Sequence, residues 1–217
     1  VRSHLESTPE FGELKIDADN TIDKAHIVKV EASDNAGVAE GEKLASYDKA
    51  VIFDVSATIS ELLGSTMLTG GTMNDGVIQS DFADVRDIIV TNTSTVLDDA
   101  MNIIDASNTG AITLNVTDTA NRIISEITGS ENSQSDLDEI NTLVVSGGDV
   151  DATSADAIQA ISGYDGASSE YDISDIASAI ISAGDDVLNV SGVDIITVTD
   201  GAVTAAEGAT IAGFAAE

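Results

Sequence analysis

The chain has 217 residues, of which 8 are lysine or arginine and 39 are aspartate or glutamate, so its formal net charge is −31. Such a charge repels phosphate, which excludes nucleic acid as an expected partner and disfavours anionic membrane surfaces. The absence of cysteine excludes disulfides, thiolate metal sites and a cysteine nucleophile.

The first 49 residues differ in character from the rest of the chain. Residues 1–12 have no hydrophobic periodicity and are predicted to form a tail or linker. Residues 13–49 are predicted to be a small β-rich segment, because ELKIDA (13–18) and AHIVKVEA (25–32) alternate polar and apolar residues before the turn SDNAG (33–37). We expect this segment to act as a cap or adaptor, since the ends of a solenoid need a cover.

Residues 50–217 alternate between short β-branched runs and helical patterns. Most runs are apolar at nearly every position, which is typical of strands that are buried on both faces of a parallel sheet. The predicted strands are VIFDV (51–55), DIIVT (87–91), AITLNV (111–116), NTLVV (141–145), YDI (171–173) and DIITV (194–198). Consecutive parallel strands need a crossover, and the spacing of these runs leaves room for a short helix in each.

Apolar residues at helical spacing follow several of these strands. The predicted helices are TVLDDAMNIIDA (95–106), TANRIISEIT (119–128), ATSADAIQAI (152–161) and TAAEGATIAGF (204–214). A serine, threonine or aspartate stands between strand and helix, where an N-cap residue accepts hydrogen bonds from free backbone amides. No run of about 18 apolar residues is present, so we expect no membrane insertion.

One ten-residue phrase occurs three times, as FDVSATISEL (53–62), LNVTDTANRI (114–123) and YDISDIASAI (171–180). Its copies place Phe53, Leu114 and Tyr171 in one inward position and Val55, Val116 and Ile173 in the next, with Ser56, Thr117 and Ser174 as predicted caps. A second phrase also repeats, because VDATSADAIQAI (150–161) matches VTAAEGATIAGF (203–214). The sequence therefore predicts an α/β fold, a right-handed parallel β/α solenoid of about three β-α-β-α repeats of 55–60 residues.

Two segments interrupt this rhythm. Residues 64–84 are predicted to be a Gly-rich surface loop inserted in the first repeat, and residues 129–138 a smaller polar loop. The sequence stops just after a repeat helix. We therefore expect either that the array continues in a longer chain or that this end packs against another molecule.

Catalytic motifs are not found, and the chain is predicted not to be an enzyme. His4 and His26 have no triad partners, and no Gly-rich phosphate loop, HExxH or GxSxG is present. The paired carboxylates Asp98–Asp99 and Asp185–Asp186 are interpreted as solvated surface, because 39 acidic residues produce such pairs by chance.

Two stretches have carboxylates and amides that could bind calcium, the one cofactor considered. In DADNTID (17–23), the residues Asp17, Asp19 and Asp23 are spaced as at the start of an EF-hand, but Ile22 and Val28 replace its glycine and glutamate. A plain turn rich in aspartate and asparagine is the alternative interpretation.

The second stretch is GGTMNDGVI (70–78), whose Asn74 and Asp75 fall in a pattern close to a nine-residue calcium repeat. Met73 stands where that pattern has glycine, and the stretch occurs once rather than in tandem. An ordinary loop remains the alternative.

The phrases VTDTANRI (116–123), YDISDIASAI (171–180) and ITVTDGAVTAAEGATIAGF (196–214) resemble degenerate repeats of large bacterial and cyanobacterial surface or secreted, adhesin-like proteins. Similar repeats occur in phage structural proteins of the virion or tail fibre. The resemblance covers roughly residues 50–217 and carries over no catalytic residue. It implies an extracellular location, on a cell surface or a virion.

These observations lead to an expected function and two alternatives. The expectation is a non-enzymatic structural or adhesive repeat protein that self-associates or binds a neighbouring structural protein. The first alternative is a calcium-dependent module that binds a glycan or host surface through residues 64–84. The second is a carbohydrate-active enzyme on a parallel β solenoid, against which the 3% aromatic content counts.

Overall fold

The computed structural model of the protein describes residues 30–31, 34–45, 51–65, 85–104, 106, 108–129 and 133–214. The chain divides into two compact units, unit 1 (Val1–Asn92 with Asn102–Thr113) and unit 2 (Thr93–Met101 with Leu114–Glu217). Helices alternate with parallel strands in both units. The protein is therefore a mixed α/β protein, as the hydrophobic pattern predicts.

Unit 1 contains one parallel sheet in the residues that the structure describes. Its strands are β1 (Val30–Glu31), β2 (Val51–Ala57), β3 (Val85–Val90) and β4 (Ile112–Thr113), and they lie side by side in chain order. Helix α1 (Val38–Ala45) packs on β2, and α2 (Ile59–Leu63) follows that strand directly. Helix α3 (Leu97–Ile104) contributes residues to both units.

Unit 2 also contains one parallel sheet in the residues that the structure describes. Its strands are β5 (Asn115–Asp118), β6 (Thr142–Val150), β7 (Glu170–Asp175) and β8 (Val193–Val198), again parallel and in chain order. Its further helices are α4 (Ala120–Gly129), α5 (Ser133–Leu137), α6 (Ala152–Gln159), α7 (Ala177–Ala183), α8 (Asp185–Leu188) and α9 (Ala205–Phe214). Helix α6 packs against both α4 and α7, and α7 packs against α9.

The two inward positions predicted from the repeated phrase are confirmed as core positions. Val55, Val116 and Ile173 have no exposed surface. Phe53, Leu114 and Tyr171 are also buried, each at 1% exposure or less. Aliphatic side chains from the helices complete these cores, since Leu62, Ile123, Ile158 and Ile180 are fully buried.

The prediction that the strands are buried on both faces is wrong. Along β7, Tyr171 and Ile173 are buried, whereas the alternate residues Asp172 and Ser174 are partly exposed. In β8, the apolar side chain of Ile195 is 52% exposed. Successive side chains of a strand point to opposite faces, and the polar alternate residues mark a face that faces water.

The predicted caps Ser56, Thr117 and Ser174 are also wrong, because each lies inside a strand that runs further than predicted. Helix α2 is capped instead by Thr58, whose hydroxyl accepts from the Glu61 amide while the Glu61 carboxylate accepts from the Thr58 amide. This reciprocal pair is a capping box. Helix α7 begins after Ile176, which provides no side-chain cap.

Three helices of the described chain, α1, α5 and the short α8, lie where none was predicted. Helix α1 occupies part of the segment predicted to be β-rich, and Leu44 anchors it with 2% exposure. Helix α5 occupies the predicted polar loop 129–138, where Leu137 is completely buried three residues before the buried Ile140. The predicted strand 13–18 and the loop residues 66–84 lie outside the described residues, as do residues 1–12.

Candidate functional site

The residues predicted to bind calcium all lie outside the described part of the chain. They are Asp17, Asp19, Asp23, Asn74 and Asp75, and their role stays a prediction. Within the residues that are described, no group of three or more histidine, aspartate or glutamate side chains is placed to hold a metal ion.

The paired carboxylates make separate contacts. Asp98 forms an ion pair with Arg122, with 2.6 Å between Oδ1 and Nη2, and Arg122 also pairs with Glu126 one helical turn away at 2.9 Å. Asp185 accepts a hydrogen bond from the Asn189 side chain at 3.0 Å. Each pair stands in the first turn of a helix, α3 or α8, where negative charge is favourable.

The main polar feature of the structure is a series of hydrogen bonds in which the end of one strand holds the start of an earlier helix. In four helices, α2, α3, α6 and α7, the first amide donates to an aspartate or asparagine oxygen that lies 21–33 residues later in the chain. The four contacts are Ile59 to Asn92 (2.7 Å), Leu97 to Asp118 (3.0 Å), Ala152 to Asp175 (3.1 Å) and Ala177 to Asp200 (2.8 Å). We call these contacts the helix-start bonds.

In a second series of hydrogen bonds, aspartate carboxylates in or near the strands bind backbone amides of a later part of the chain. Each carboxylate accepts a hydrogen bond from a backbone amide 23–33 residues later. The contacts run from Asp87 to Asp54 (3.2 Å), Ala111 to Asp87 (2.9 Å), Ser162 to Asp138 (2.8 Å) and Ile195 to Asp172 (3.2 Å). We call these the strand-side bonds.

These two series give seven aspartates a structural role. A carboxylate has no hydrogen to donate and several lone pairs to accept with, so it can hold two backbone amides at once. Asp175 does this, because its Oδ2 accepts from Ala152 while its Oδ1 accepts from Ile176 at 2.7 Å. Asp118 holds Leu97 and Thr119 in the same way.

Asp54 is the most strongly held of these carboxylates. The Arg86 guanidinium donates to both of its oxygens, at 2.8 Å and 2.6 Å, and ties β3 to β2. The Arg86 hydrogen bonds lower the pKa of Asp54, and the Asp87 amide adds to this shift, while partial burial opposes it. The carboxylate therefore stays charged at any pH near neutrality.

Two tyrosines of unit 2 have hydroxyl groups that form hydrogen bonds with other parts of the unit. Tyr171 accepts a hydrogen bond from the Gln159 side chain at 2.7 Å, and Tyr164 donates to the Ser191 carbonyl at 2.9 Å. Burial raises the pKa of both hydroxyls. Gly192 lies against the Tyr164 hydroxyl with a φ of +105°, so this position needs both the space and the backbone freedom of glycine.

The other candidate surface is the face formed by β8 and α9, which we call the open face. A groove of about 600 Å³ runs along it and is lined by apolar side chains that include Ile196, Val198, Val203, Ile211 and Phe214. None of the residues of α9 is buried. Val203 is 39% exposed, whereas its counterpart in the repeated phrase, Val150, is 7% exposed.

The sequence analysis predicts caps at Thr117 and Ser174, but the helix-start bonds use the next residue in each case. Asp118 and Asp175 hold the start of the helix that precedes them in the chain. The signal is an acidic residue two positions after an inward residue, as in Val116–Asp118, Ile173–Asp175 and Val198–Asp200.

Comparison of the chain with protein-family models, with curated proteins and with solved structures finds no match. In the described part of the chain, no helix has the length and apolar character that crossing a bilayer requires.

Proposed function

We propose that the protein is a non-enzymatic structural or adhesive element of an extracellular assembly, such as a virion fibre or coat or a cell-surface layer. Its architecture would be a right-handed parallel β/α solenoid of repeated units. It would act by associating with further copies or with a neighbouring structural protein and by presenting an acidic surface.

The observation that carries this proposal is the set of helix-start bonds. Each one joins a helix to the strand end of the next β/α pair in the chain, by which we mean a strand and the helix that follows it. Stability that comes mainly from contacts between adjacent pairs is typical of repeat proteins. Such proteins set a length and a surface, which is what a fibre, coat or adhesive layer needs.

The distribution of acidic residues supports the same proposal. Seven aspartates serve the two hydrogen-bond series, and many others are solvent-exposed, among them Asp151, Asp156 and Asp194. A net charge of −31 keeps copies apart at low ionic strength, and salt shortens the range of this repulsion. Assembly of this protein should therefore be stronger in salt.

Light scattering on the full chain tests the proposal. The mass in solution is measured across a concentration series at about 0.1 M and about 1 M sodium chloride, at which the Debye length is roughly 10 Å and 3 Å. We expect a defined oligomer or filament whose fraction grows with protein and salt concentration. A monomer under every condition would refute self-association as the mechanism.

One further measurement in the same experiment distinguishes the calcium-dependent alternative from the structural proposal. Millimolar calcium is added and then removed with a chelator, and the melting temperature is followed together with the mass. A structural element gives the same melting temperature in both states. A rise in melting temperature that chelation reverses would favour the calcium-dependent glycan- or host-surface-binding module instead.

A further inference from the structure

We infer that the open face is a docking surface for one more β/α pair of this chain's own kind, supplied by a partner polypeptide. The partner would add a parallel strand beside β8 and lay its helix against α9. The inference rests on the proposed function, because it names the surface through which the proposed assembly acts.

The first argument is the strand edge. Strands β6 and β7 have a neighbour on each side, whereas β8 has only β7 beside it in the described chain. No described residue pairs with the backbone groups on its other side, so an added strand can pair with them, which is a common way for proteins to bind extended segments. Every strand pair within the two sheets is parallel, so a parallel addition continues the established geometry.

The second argument is the apolar surface. Ile173 of β7 is fully buried and is aligned with Ile196 of β8, which is only partly covered. The same holds for the helices, since Ile158 of α6 is fully buried while its counterpart Ile211 of α9 lines the groove. Burying such side chains is the dominant favourable term in protein association.

The third argument identifies the chemistry of the occupant. Helices α2 and α9 have the same capping box, Thr58 with Glu61 and Thr204 with Glu207. In α2 the next amide, that of Ile59, is held by Asn92 from the following strand. The corresponding amide in α9 is that of Ala205, and no residue of the described chain accepts from it.

A complementary acceptor stands on β8 itself. Asp172 follows Tyr171 on β7 and accepts the strand-side bond from Ile195. Val193 is aligned with Tyr171, and Asp194 follows it at the corresponding position. Asp194 is exposed and accepts no hydrogen bond from any residue that the structure describes. The open face thus offers one backbone donor at Ala205 and one carboxylate acceptor at Asp194.

Together these features fit a strand that ends in aspartate or asparagine and continues into an amphipathic helix. A second copy docked face to face fits less well. Two-fold symmetry would pair the two β8 edges antiparallel, and the helix-start bonds all occur between parallel neighbours. Self-dimerisation through this face is therefore an outcome that the test must detect.

The probe is a fluorescein-labelled peptide of residues 170–189, which contains β7, α7 and α8. It is titrated with the full chain while fluorescence anisotropy is followed. We expect saturable binding that the peptide substitution Ile173→Asp abolishes and the peptide substitution Asp175→Ala weakens. On the full chain, Val203→Asp should weaken binding at least tenfold, because a charge then enters the apolar groove.

The matched control is Val96→Asp, the same substitution at a valine that is 50% exposed and does not line the groove. It should leave the affinity unchanged, and circular dichroism checks that both variants fold. Because an isolated peptide loses conformational entropy on binding, a second version tethers it to the full chain through a Gly/Ser linker. Hydrogen exchange of the β8 amides should then slow in the tethered chain and stay fast with tethered Ile173→Asp peptide.

Four outcomes would overturn the inference. The β8 amides could exchange equally fast with either tethered peptide, or Val203→Asp and Val96→Asp could bind the peptide equally well. The full chain could also form a dimer that Val203→Asp abolishes, which would assign the face to a second copy. If light scattering shows assembly that survives Val203→Asp, this inference fails while the proposed function stands. Peptide binding by a chain that stays monomeric in salt would support the face and refute self-association.

Discussion

Replacement of Asp175 by alanine tests whether the helix-start bonds stabilise the protein. The substitution removes the acceptor of two backbone amides, Ala152 at 3.1 Å and Ile176 at 2.7 Å. The first of these starts helix α6, whose own cap, Asp151, serves a different amide, that of Ser154. No other group in the described chain replaces the lost acceptor.

The expected loss of stability follows from these contacts. Loss of a helix cap costs typically about 1 kcal/mol, with a range of roughly 0.5–2. A second amide left without its partner adds a smaller cost, because Ile176 is partly exposed and water reaches it. The sum is about 1.5 kcal/mol. With a urea dependence of about 2 kcal/mol per molar, the midpoint of unfolding should fall by roughly 0.7 M.

The control for charge is Asp156→Ala. Asp156 is exposed on helix α6, and its side chain accepts no hydrogen bond within the described residues. Both substitutions remove one negative charge from a chain of net charge −31, so relief of repulsion is common to both. We expect Asp156→Ala to change the stability by less than about 0.5 kcal/mol.

Urea unfolding followed by circular dichroism gives the two midpoints, and hydrogen exchange adds a local measurement. The Ala152 amide should exchange faster in Asp175→Ala and at the original rate in Asp156→Ala. Equal midpoints for the two variants, or an unchanged exchange rate at Ala152, would show that the helix-start bond contributes nothing to stability.

Three further predictions concern single positions. Gly192→Ala should lower the free energy of unfolding by about 1–3 kcal/mol in urea titrations, because its φ is +105° and a Cβ would overlap the Tyr164 hydroxyl. The control Gly129→Ala has open space around the added Cβ and should not destabilise the protein. Asp54 should contribute stability that is complete above its ordinary pKa of 3.8 and is lost as the pH falls through its lowered pKa. The difference in the free energy of unfolding between the protein and Asp54→Asn should therefore shrink below about pH 4. A difference that stays constant with pH would contradict this. Tyr164 and Tyr171 should stay protonated above pH 10 while the chain is folded, so their tyrosinate absorbance should rise together with alkaline unfolding when the third tyrosine is removed by Tyr47→Phe. Absorbance of this variant that precedes the loss of circular dichroism would contradict the burial.

The hydrophobic pattern predicts most of the described strands and helices between residues 51 and 214, because these elements have a local period that their own residues reveal. Val116 and Ile173 could be assigned to the core on this basis alone. Helix α5 was missed because its polar residues conceal the single buried Leu137. Such a helix forms through its tertiary packing, and the local sequence contains little evidence of it.

The partners of the aspartates could not be predicted in the same way. A cap within one helix joins residues three positions apart, whereas Asp175 and Ala152 are separated by 23. Which amide an aspartate meets depends on how neighbouring strands align, and that alignment is a property of the sheet. The exposure of α9 could not be predicted from its own residues, because they match those of the buried α6 in type and spacing.

The helix-start bonds also impose an order on folding during synthesis. The amide of Ala152 is translated before its acceptor, and Asp175 appears only 23 residues later. At about 5–20 residues per second, that interval is roughly 1–5 s. Each helix of this kind therefore waits on the ribosome, with its first amide facing water, until the next strand has emerged. The chain would fold one strand at a time from its N-terminal side. A pause in translation before Asp175 has emerged would leave α6 without its helix-start bond.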